Sequence, residues 1–504
     1  MKRVLIASPI KQKPAILTEF LACLQALDRT GLILTFIFID DHDSPSIALQ
    51  QFAAANHGVT VLPGTERSQT YRCNEQTHYW QEDIVWKVAK YKDYFIQLAC
   101  EEQYDYLFLV DSDLALHPKT ITHLVSLGKD LVSEVYWTQW EKELIPLPQV
   151  WLGGQYRLHE PGAGEPLTEE ETGKRQREFI HKLHCPGTFR VGGLGACTLL
   201  SKEALAAGVS FRRIDNLDLV GEDRHFCVRA AVLGLELYAD TYYPPYHMYR
   251  ESELPGLLLH KEHYDYQESR PSPRLTLAML VRNESARYLE KVLTHAASYA
   301  DQIVILDDAS TDNTIEVCRH CLANTPHQIV VNSEAGFHNE IMLRKQLWDM
   351  AAATKPDWIL ILDADETFED NIIQLMPFLL RNPQADIYHF RLYDMWSKTH
   401  YREDSYWQAH LHYRPFLVRY QADYEYSWQE TPQHCGRFPL NLAHLRGVPC
   451  QTRLQHWGWS RPVDRLDKYY RYKRLDPNAL YGNKEQYQSI LDPKPNLIKW
   501  QDSN

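Results

Sequence analysis

Two short runs place a pair of aspartates directly after an apolar stretch: Asp111-Ser112-Asp113 follows YLFLV, and Asp363-Ala364-Asp365 follows WILIL. Each apolar run is bounded by polar residues, which suits a strand buried on both faces of a sheet. Along extended backbone, side chains two apart point the same way, so each pair can present two carboxylates to one point past the strand end. Such a pair is a hard-oxygen ligand set for Mg²⁺ or Mn²⁺, and open α/β sheets bind ligands at that edge. For a single copy a capped turn explains the acids equally well, because Asp is common where strands end. Recurrence of the pattern in both halves favours chemistry.

The elements that must position these acids are readable from periodicity. At 504 residues the chain is too long for one core and predicts two or three domains. Residues 4–8 and 33–39 read as strands flanking an amphipathic segment at 15–27, and 59–63 as a third strand. Alternation of this kind implies an α/β, mostly parallel, doubly wound sheet. The start, MKRVLIASPIKQKP, is read as the first strand, its apolar run being too short for the core of a signal peptide. The second strand ends at Asp40-Asp41, placed for a ribose hydroxyl or a base edge, with a plain turn as the alternative. A long segment, 82–100, carries Lys87, Lys90 and Lys92, read as a solvated helix face with one lysine in reach of a phosphate. Residues 146–172, rich in Pro, Gly and Glu, read as a surface loop or lid. Gly192, Gly193 and Gly195 would let a ligand approach the backbone, although the cluster lacks phosphate-loop spacing. Glu222 and Asp223 open a predicted helix, either as favourable helix-dipole charges or as a general base beside an acceptor hydroxyl.

A polar, proline-bearing stretch at 262–274 divides the chain into domains at 1–261 and 275–504. After it the same programme restarts: strand 275–281, helix 284–297, strand 302–306 ending at Asp307-Asp308, strand 329–331, helix 340–352, then the second acid pair. Ser310, Thr311 and Asp312 suffice to cap the helix that follows them, leaving Asp307 and Asp308 in excess of that need. The two halves therefore read as two copies of one architecture.

Composition narrows the classes. A formal net charge of −13 argues against a nucleic-acid partner. No apolar run approaches the roughly 20 residues of a membrane span, so the expectation is a cytoplasmic protein with no transmembrane segment, for which peripheral membrane contact stays open. The ten cysteines show no disulfide or metal framework, and Cys318-Arg319-His320-Cys321 falls in a predicted helix, where packing explains it.

At these residues the sequence resembles the nucleotide-sugar glycosyltransferases of GT-A fold. VRNES at 281–285, ILDDASTDNT at 305–314, Arg344, and DWILILDADE at 357–366 together resemble glycosyltransferase family 2. The N-terminal half resembles a more distant GT-A glycosyltransferase, through Asp111, Asp113, the Gly-Leu-Gly-Ala stretch, Glu222-Asp223 and a late His247 in YYPPYHMY. The resemblance implies two tandem GT-A-like domains and a nucleotide-sugar donor, a UDP- or GDP-sugar. Asp307 or Asp308 would contact the nucleoside, with Arg344 near the base or diphosphate. Asp363 and Asp365 would bind the metal and diphosphate, and His456 in LQHWGW would complete that site. Asp111, Asp113 and His247 would do the same in the first half. Glu430 falls where similar bacterial members carry a His-Glu pair, with Gln429 here replacing the His.

Glycosyl transfer needs these residue types. The leaving nucleoside diphosphate develops negative charge, which a divalent cation neutralises. The acceptor hydroxyl needs a base, for which Glu430, Asp223 and Glu222 are the candidates, and a base opposite the leaving group would give inversion. The sequence thus predicts a bifunctional hexosyltransferase acting on a glycan or glycoconjugate, as in polysaccharide biosynthesis. A catalytic C-terminal domain with an N-terminal acceptor-binding or scaffold module is the alternative. A nucleotidyltransferase would require a glycine-rich basic phosphate loop, which the sequence lacks, and a carbohydrate-binding protein has no need of two acid pairs.

Overall fold

A computed structural model describes the chain except residues 65–71, 161–165, 266–270, 433–434, 480–482 and 503–504. The chain forms two compact units, Met1–Arg270 and Pro271–Asn504. Residues 266–270, the middle of the expected linker, lie outside the described residues, and helix Leu254–His263 runs into that linker's start.

The N-terminal unit is built on an eight-stranded mixed sheet. In chain order its site-bearing strands are β1 (Lys2–Ile10), β2 (Leu32–Asp40), β3 (Val59–Pro63), β4 (Tyr106–Leu109), β5 (Leu114–Ala115), β6 (Leu131–Glu134), β7 (Thr188–Val191), β8 (Thr198–Ser201), β9 (Leu237–Asp240) and β10 (Tyr246–His247). The sheet order is β3-β2-β1-β4-β8-β6-β9-β7, with β5 and β10 forming a separate antiparallel pair. Alternate side chains of β1 and β2 feed two cores: Leu5, Ala7, Ile37 and Ile39 on one face, and Val4, Ile6, Phe36 and Phe38 on the other. That is the pattern of strands covered on both sides by helices.

The C-terminal unit repeats this order. Its strands are β11 (Leu275–Val281), β12 (Gln302–Asp307), β13 (His327–Val331), β14 (Trp358–Ile361), β15 (Glu366–Phe368), β16 (Ile387–Asp394), β17 (Tyr413–Arg419) and β18 (Gly447–His456), arranged β13-β12-β11-β14-β17-β16-β18-β15. Every residue of β11 is buried, which is why its run is apolar without alternation. In both sheets the first four strands pair in parallel, the next two joins are antiparallel, the next is parallel and the last antiparallel. The parallel half is the one periodicity predicts. The antiparallel joins were not foreseen, because they come from strands distant in the chain.

Three sequence expectations are corrected. The stretch 146–172 is not all surface loop: Val150, Trp151 and Leu158 are buried in the core, and 169–172 begin helix Glu169–Leu183. Gly192 and Gly193 serve packing and not ligand approach, since a Cβ there would run into the Leu152 carbonyl and the Trp151 ring. The lysines of helix Glu82–Glu101 are not one solvated face: Lys87 and Lys92 are buried and ion-paired, and only Lys90 is exposed.

Candidate active site

Both acid pairs lie past the C-terminal ends of β4 and β14, beside β1 and β11 where the strand order reverses direction, the place where open α/β sheets bind ligands. Neither pair sits on extended backbone. The amide of Leu114 donates to the Asp111 carbonyl at 3.3 Å, and that of Glu366 to the Asp363 carbonyl at 3.1 Å, so each pair occupies the same tight turn. In each unit the residue after the second aspartate then pairs across an antiparallel ladder with a histidine, Leu114 with His247 and Glu366 with His456. The second aspartate faces that histidine at 3.5 Å from Asp113 to His247 and 3.4 Å from Asp365 to His456.

In the C-terminal unit the two aspartates have different partners. Asp363 meets Arg437 at 3.0 Å and Arg344 at 3.5 Å. Burial penalises the Asp363 carboxylate, but the two guanidinium groups offset this and hold it below its ordinary range. Arg437 also makes a two-pronged contact with Glu366, at 2.7 and 2.8 Å, and Glu366 in turn accepts from the Asp363 amide at 2.9 Å. Arg344 is anchored on its own helix by Glu340 at 2.9 Å. Asp365 faces His456 and, at 3.5 Å, the Lys468 ammonium, which together outweigh burial and keep it charged. His456 Nδ1 is 2.8 Å from Asp394, which leaves Nε2 toward Asp365. Burial favours the neutral His456 ring, yet Asp365 and the Asp394 hydrogen bond raise its pKa to about 9. A Cβ on Gly458 would fall among Asp365, Lys468 and His456, so this glycine keeps the space between them open.

The other expected residues of this unit sit differently. Asp307 and Asp308 are fully buried. Asp307 accepts from the Ser310 amide at 2.8 Å, so it helps build the turn that the reading assigned to the residues after it, while Asp312 holds Ser285 and Thr314. Asp308 accepts from the amides of Gly336 and Phe337 and from Arg282. Glu430 is two-thirds exposed and pairs with Lys345 at 2.6 Å, one residue from Arg344. Glu284, which sequence reading left in a helix, lies in a turn near Asp365, and burial raises its carboxyl to about 7.

In the N-terminal unit a pocket is lined by Lys11, Gln12, Asp41, Trp80, Lys87, Tyr91, Asp111, Ser112 and Asp113, among others. It brings together two of the stretches singled out from sequence. Asp41 is held by Lys87 at 2.7 Å and by the Tyr91 hydroxyl at 3.1 Å. Asp40 instead turns to His42 at 2.6 Å and to the Ser46 amide at 2.7 Å, and shapes the loop. Burial raises Asp111 to about 7, with Lys92 opposing and Asp113, Asp223 and Glu222 adding to the rise. Lys92 is the buried counter-charge of this acidic group, 2.9 Å from Glu222 and 2.8 Å from Asp223. Asp113 Oδ1 is buried without a partner, and His247 Nδ1 is 3.0 Å from the Thr138 hydroxyl.

These residues fit a divalent cation in both units: an orphaned Asp113 oxygen and surplus carboxylates in one, and an oriented His456 with a glycine-kept space in the other. Sequence reading missed Arg437 and Lys468, which reach the acids from far along the chain, and Asp394, which orients His456; it placed Lys92 on a solvated helix face. Only Glu366 carried a local signal, as the third acid of its run.

Residues 276–436 match the family model Glycosyl transferase family 2. The match falls within the C-terminal unit, which resembles that family over these residues. Among curated proteins, an uncharacterized protein of Mycobacterium tuberculosis is 28% identical over 228 residues, covering 41% of this chain and 52% of the relative. An uncharacterized glycosyltransferase of Rickettsia bellii is 24% identical over 115 residues, covering 23% of this chain and 35% of its own length. The chain spans about half the length, or less, of these curated relatives. Distant likenesses among solved structures include the mannosyltransferase PcManGT from Pyrobaculum calidifontis in complex with GDP-Man and Mn²⁺, with 14% identity, 52% and 61% coverage of the two chains and a TM-score of 0.29. TarS of S. aureus in its 1–349 form shows 13% identity, 43% and 69% coverage and a TM-score of 0.27.

Two predictions follow from the ion pairs. Because the folded pKa of His456 lies above its unfolded value, its contribution is fully present below pH 6.5 and is lost as pH rises through about 9. Thermal unfolding in chelator should therefore show about 3 kcal/mol less stability at pH 10 than at pH 6 from this group alone. His456→Gln should lack that increment, and an equal pH dependence in variant and parent would contradict the assignment. Arg437→Met leaves buried Glu366 and the partly exposed Asp363 without their main counter-charge, and should lower unfolding free energy by about 3–5 kcal/mol in denaturant titrations, mostly through Glu366.

Proposed function

We propose that the chain is a glycosyltransferase that moves sugars from nucleotide-sugar donors, UDP- or GDP-linked, to a glycan or glycoconjugate acceptor, with one donor site in each unit. The observation that carries this reading is the repeated constellation: the same strand order, the same turn for the acid pair and the same cross-strand histidine in both units. Two copies of a merely structural turn would not each need an aspartate aimed at a histidine.

Within this reading Asp363, Asp365 and His456 would hold a divalent cation, Mn²⁺ or Mg²⁺, in the C-terminal unit, and Asp111, Asp113 and His247 would hold one in the other. When bound, such a cation would supply Lewis-acid neutralisation of the departing diphosphate. Arg437 and Arg344 keep Asp363 ionised, and their charge adds to the field that favours an anionic leaving group. Lys468 does the same from the Asp365 side. In the N-terminal unit Asp41 and Lys87 line the donor pocket with the acid pair, suited to ribose hydroxyls and phosphate respectively. Asp307 and Asp308 act on the nucleoside by shaping the loops around it, since their carboxylates are engaged locally.

The base that takes the acceptor proton is Glu430 in the C-terminal unit, reachable from solvent beside Lys345. In the N-terminal unit Asp223 is favoured over Glu222, being 28% exposed against 12% while Lys92 holds both in place. A positioned carboxylate contributes about 10²–10⁴-fold to such a step. Attack from the face opposite the diphosphate makes each transfer inverting.

Asp113→Ala and Asp365→Ala test independence of the sites. Each should abolish one sugar transfer, measured as product formed from a UDP- and GDP-sugar panel with Mn²⁺, and leave the other within twofold. Loss of both activities from either change refutes two independent sites. Full activity in Asp113→Ala would favour an N-terminal acceptor-binding or scaffold module.

A further inference from the structure

We propose that His123, Glu134 and Asp240 of the N-terminal unit form a second kind of cation site, distinct from the acid pairs, that takes a divalent transition-metal ion and staples two strand ends together. Glu134 and Asp240 are the last residues of β6 and β9 and are register partners in that parallel pair. His123 comes from helix Thr120–Ser126, whose preceding loop follows β5. One ligand atom from each of the three lies within 4.8 Å of the others, and among the described residues no other group of three His, Cys, Asp or Glu side chains meets that condition. Tetrahedral ligands about 2.1 Å from an ion lie about 3.4 Å apart, so only a small closure is needed.

The independent sign of a ligand is Glu134. Its side chain is fully buried, and neither carboxyl oxygen has a hydrogen-bond partner. Asp240 is also fully buried but well provided: its oxygens accept from the Thr188 hydroxyl at 2.6 Å and the Tyr242 amide at 3.0 Å, and His123 Nε2 lies 3.0 Å away. A buried carboxyl with no donor, facing a second carboxylate, is costly unless a proton or a cation stands between them. The donor set of one imidazole nitrogen and carboxylate oxygens selects Zn²⁺, Mn²⁺ or Fe²⁺ over Mg²⁺ and Ca²⁺. His123 retains 17% side-chain exposure, which gives the ion an entry side.

The site lies across β8 from the strand that ends at Asp111. Its consequence runs along the chain. Glu134 is four residues before Thr138, and Asp240 seven before His247, and Thr138 and His247 contact each other beside Asp113. An ion joining Glu134 to Asp240 therefore fixes the roots of both segments that carry His247 to the acid pair.

The 504-residue chain with Asp111→Ala, Asp113→Ala, Asp363→Ala and Asp365→Ala isolates this site. After chelation and dialysis, Zn²⁺ and Mn²⁺ are each titrated alone, with bound metal counted by mass spectrometry and unfolding followed by heat. The expected result is one ion per chain and a raised unfolding temperature, both lost on adding His123→Ala or Glu134→Gln. Glu134→Gln keeps the shape of a protonated acid and should fold like the parent, which separates loss of a ligand from loss of structure. No bound ion in the four-site variant, or binding indifferent to both changes, overturns the proposal.

Discussion

The structure depends most on one register. An antiparallel ladder sets the residue after each Asp-x-Asp turn opposite a histidine that arrives ninety residues later in one unit and more than a hundred and thirty later in the other. Because side chains alternate along a strand, a slip of one residue would turn the histidine to the opposite face. Register is held by what surrounds it: Asp394 orients His456, Thr138 meets His247, and buried Glu366 with Arg437 locks the turn from below. The geometry of each aspartate–histidine cluster is thus set by a backbone pairing in which the histidine itself takes part.

Once that pairing is common to both units, their differences become informative. The C-terminal acids are surrounded by cations, Arg344, Arg437 and Lys468, which keep both carboxylates charged. The N-terminal acids sit among further acids, with Lys92 as the buried counter-charge, so Asp111 is raised toward neutrality. On the proposed function, one site would receive an anionic diphosphate with cations in place, and the other would lean more heavily on a recruited cation. Two similar folds can hold different donors in this way, since specificity rests on site residues and not on the sheet.

The sheet's parallel half was legible because its strands are continuous apolar runs and its helices show helical spacing, both local signals. The acid pairs were legible for the same reason, whereas both late histidines were tied to them only through the family resemblance. What escaped reading was reach. Lys92 looks like one of three lysines on a solvated helix, but its acids lie 130 and 131 residues away. Arg437 and Lys468 meet their aspartates across 74 and 103 residues, and no local pattern announces them. Asp307 shows the converse error: a local turn explains an acid that seemed surplus.

The central claim is that one chain carries two donor sites. Equilibrium dialysis of the 504-residue chain with UDP, GDP and Mn²⁺ counts them directly. The account predicts two nucleotides bound per chain at saturation, summed over the two bases. A single bound nucleotide, or none, would contradict it.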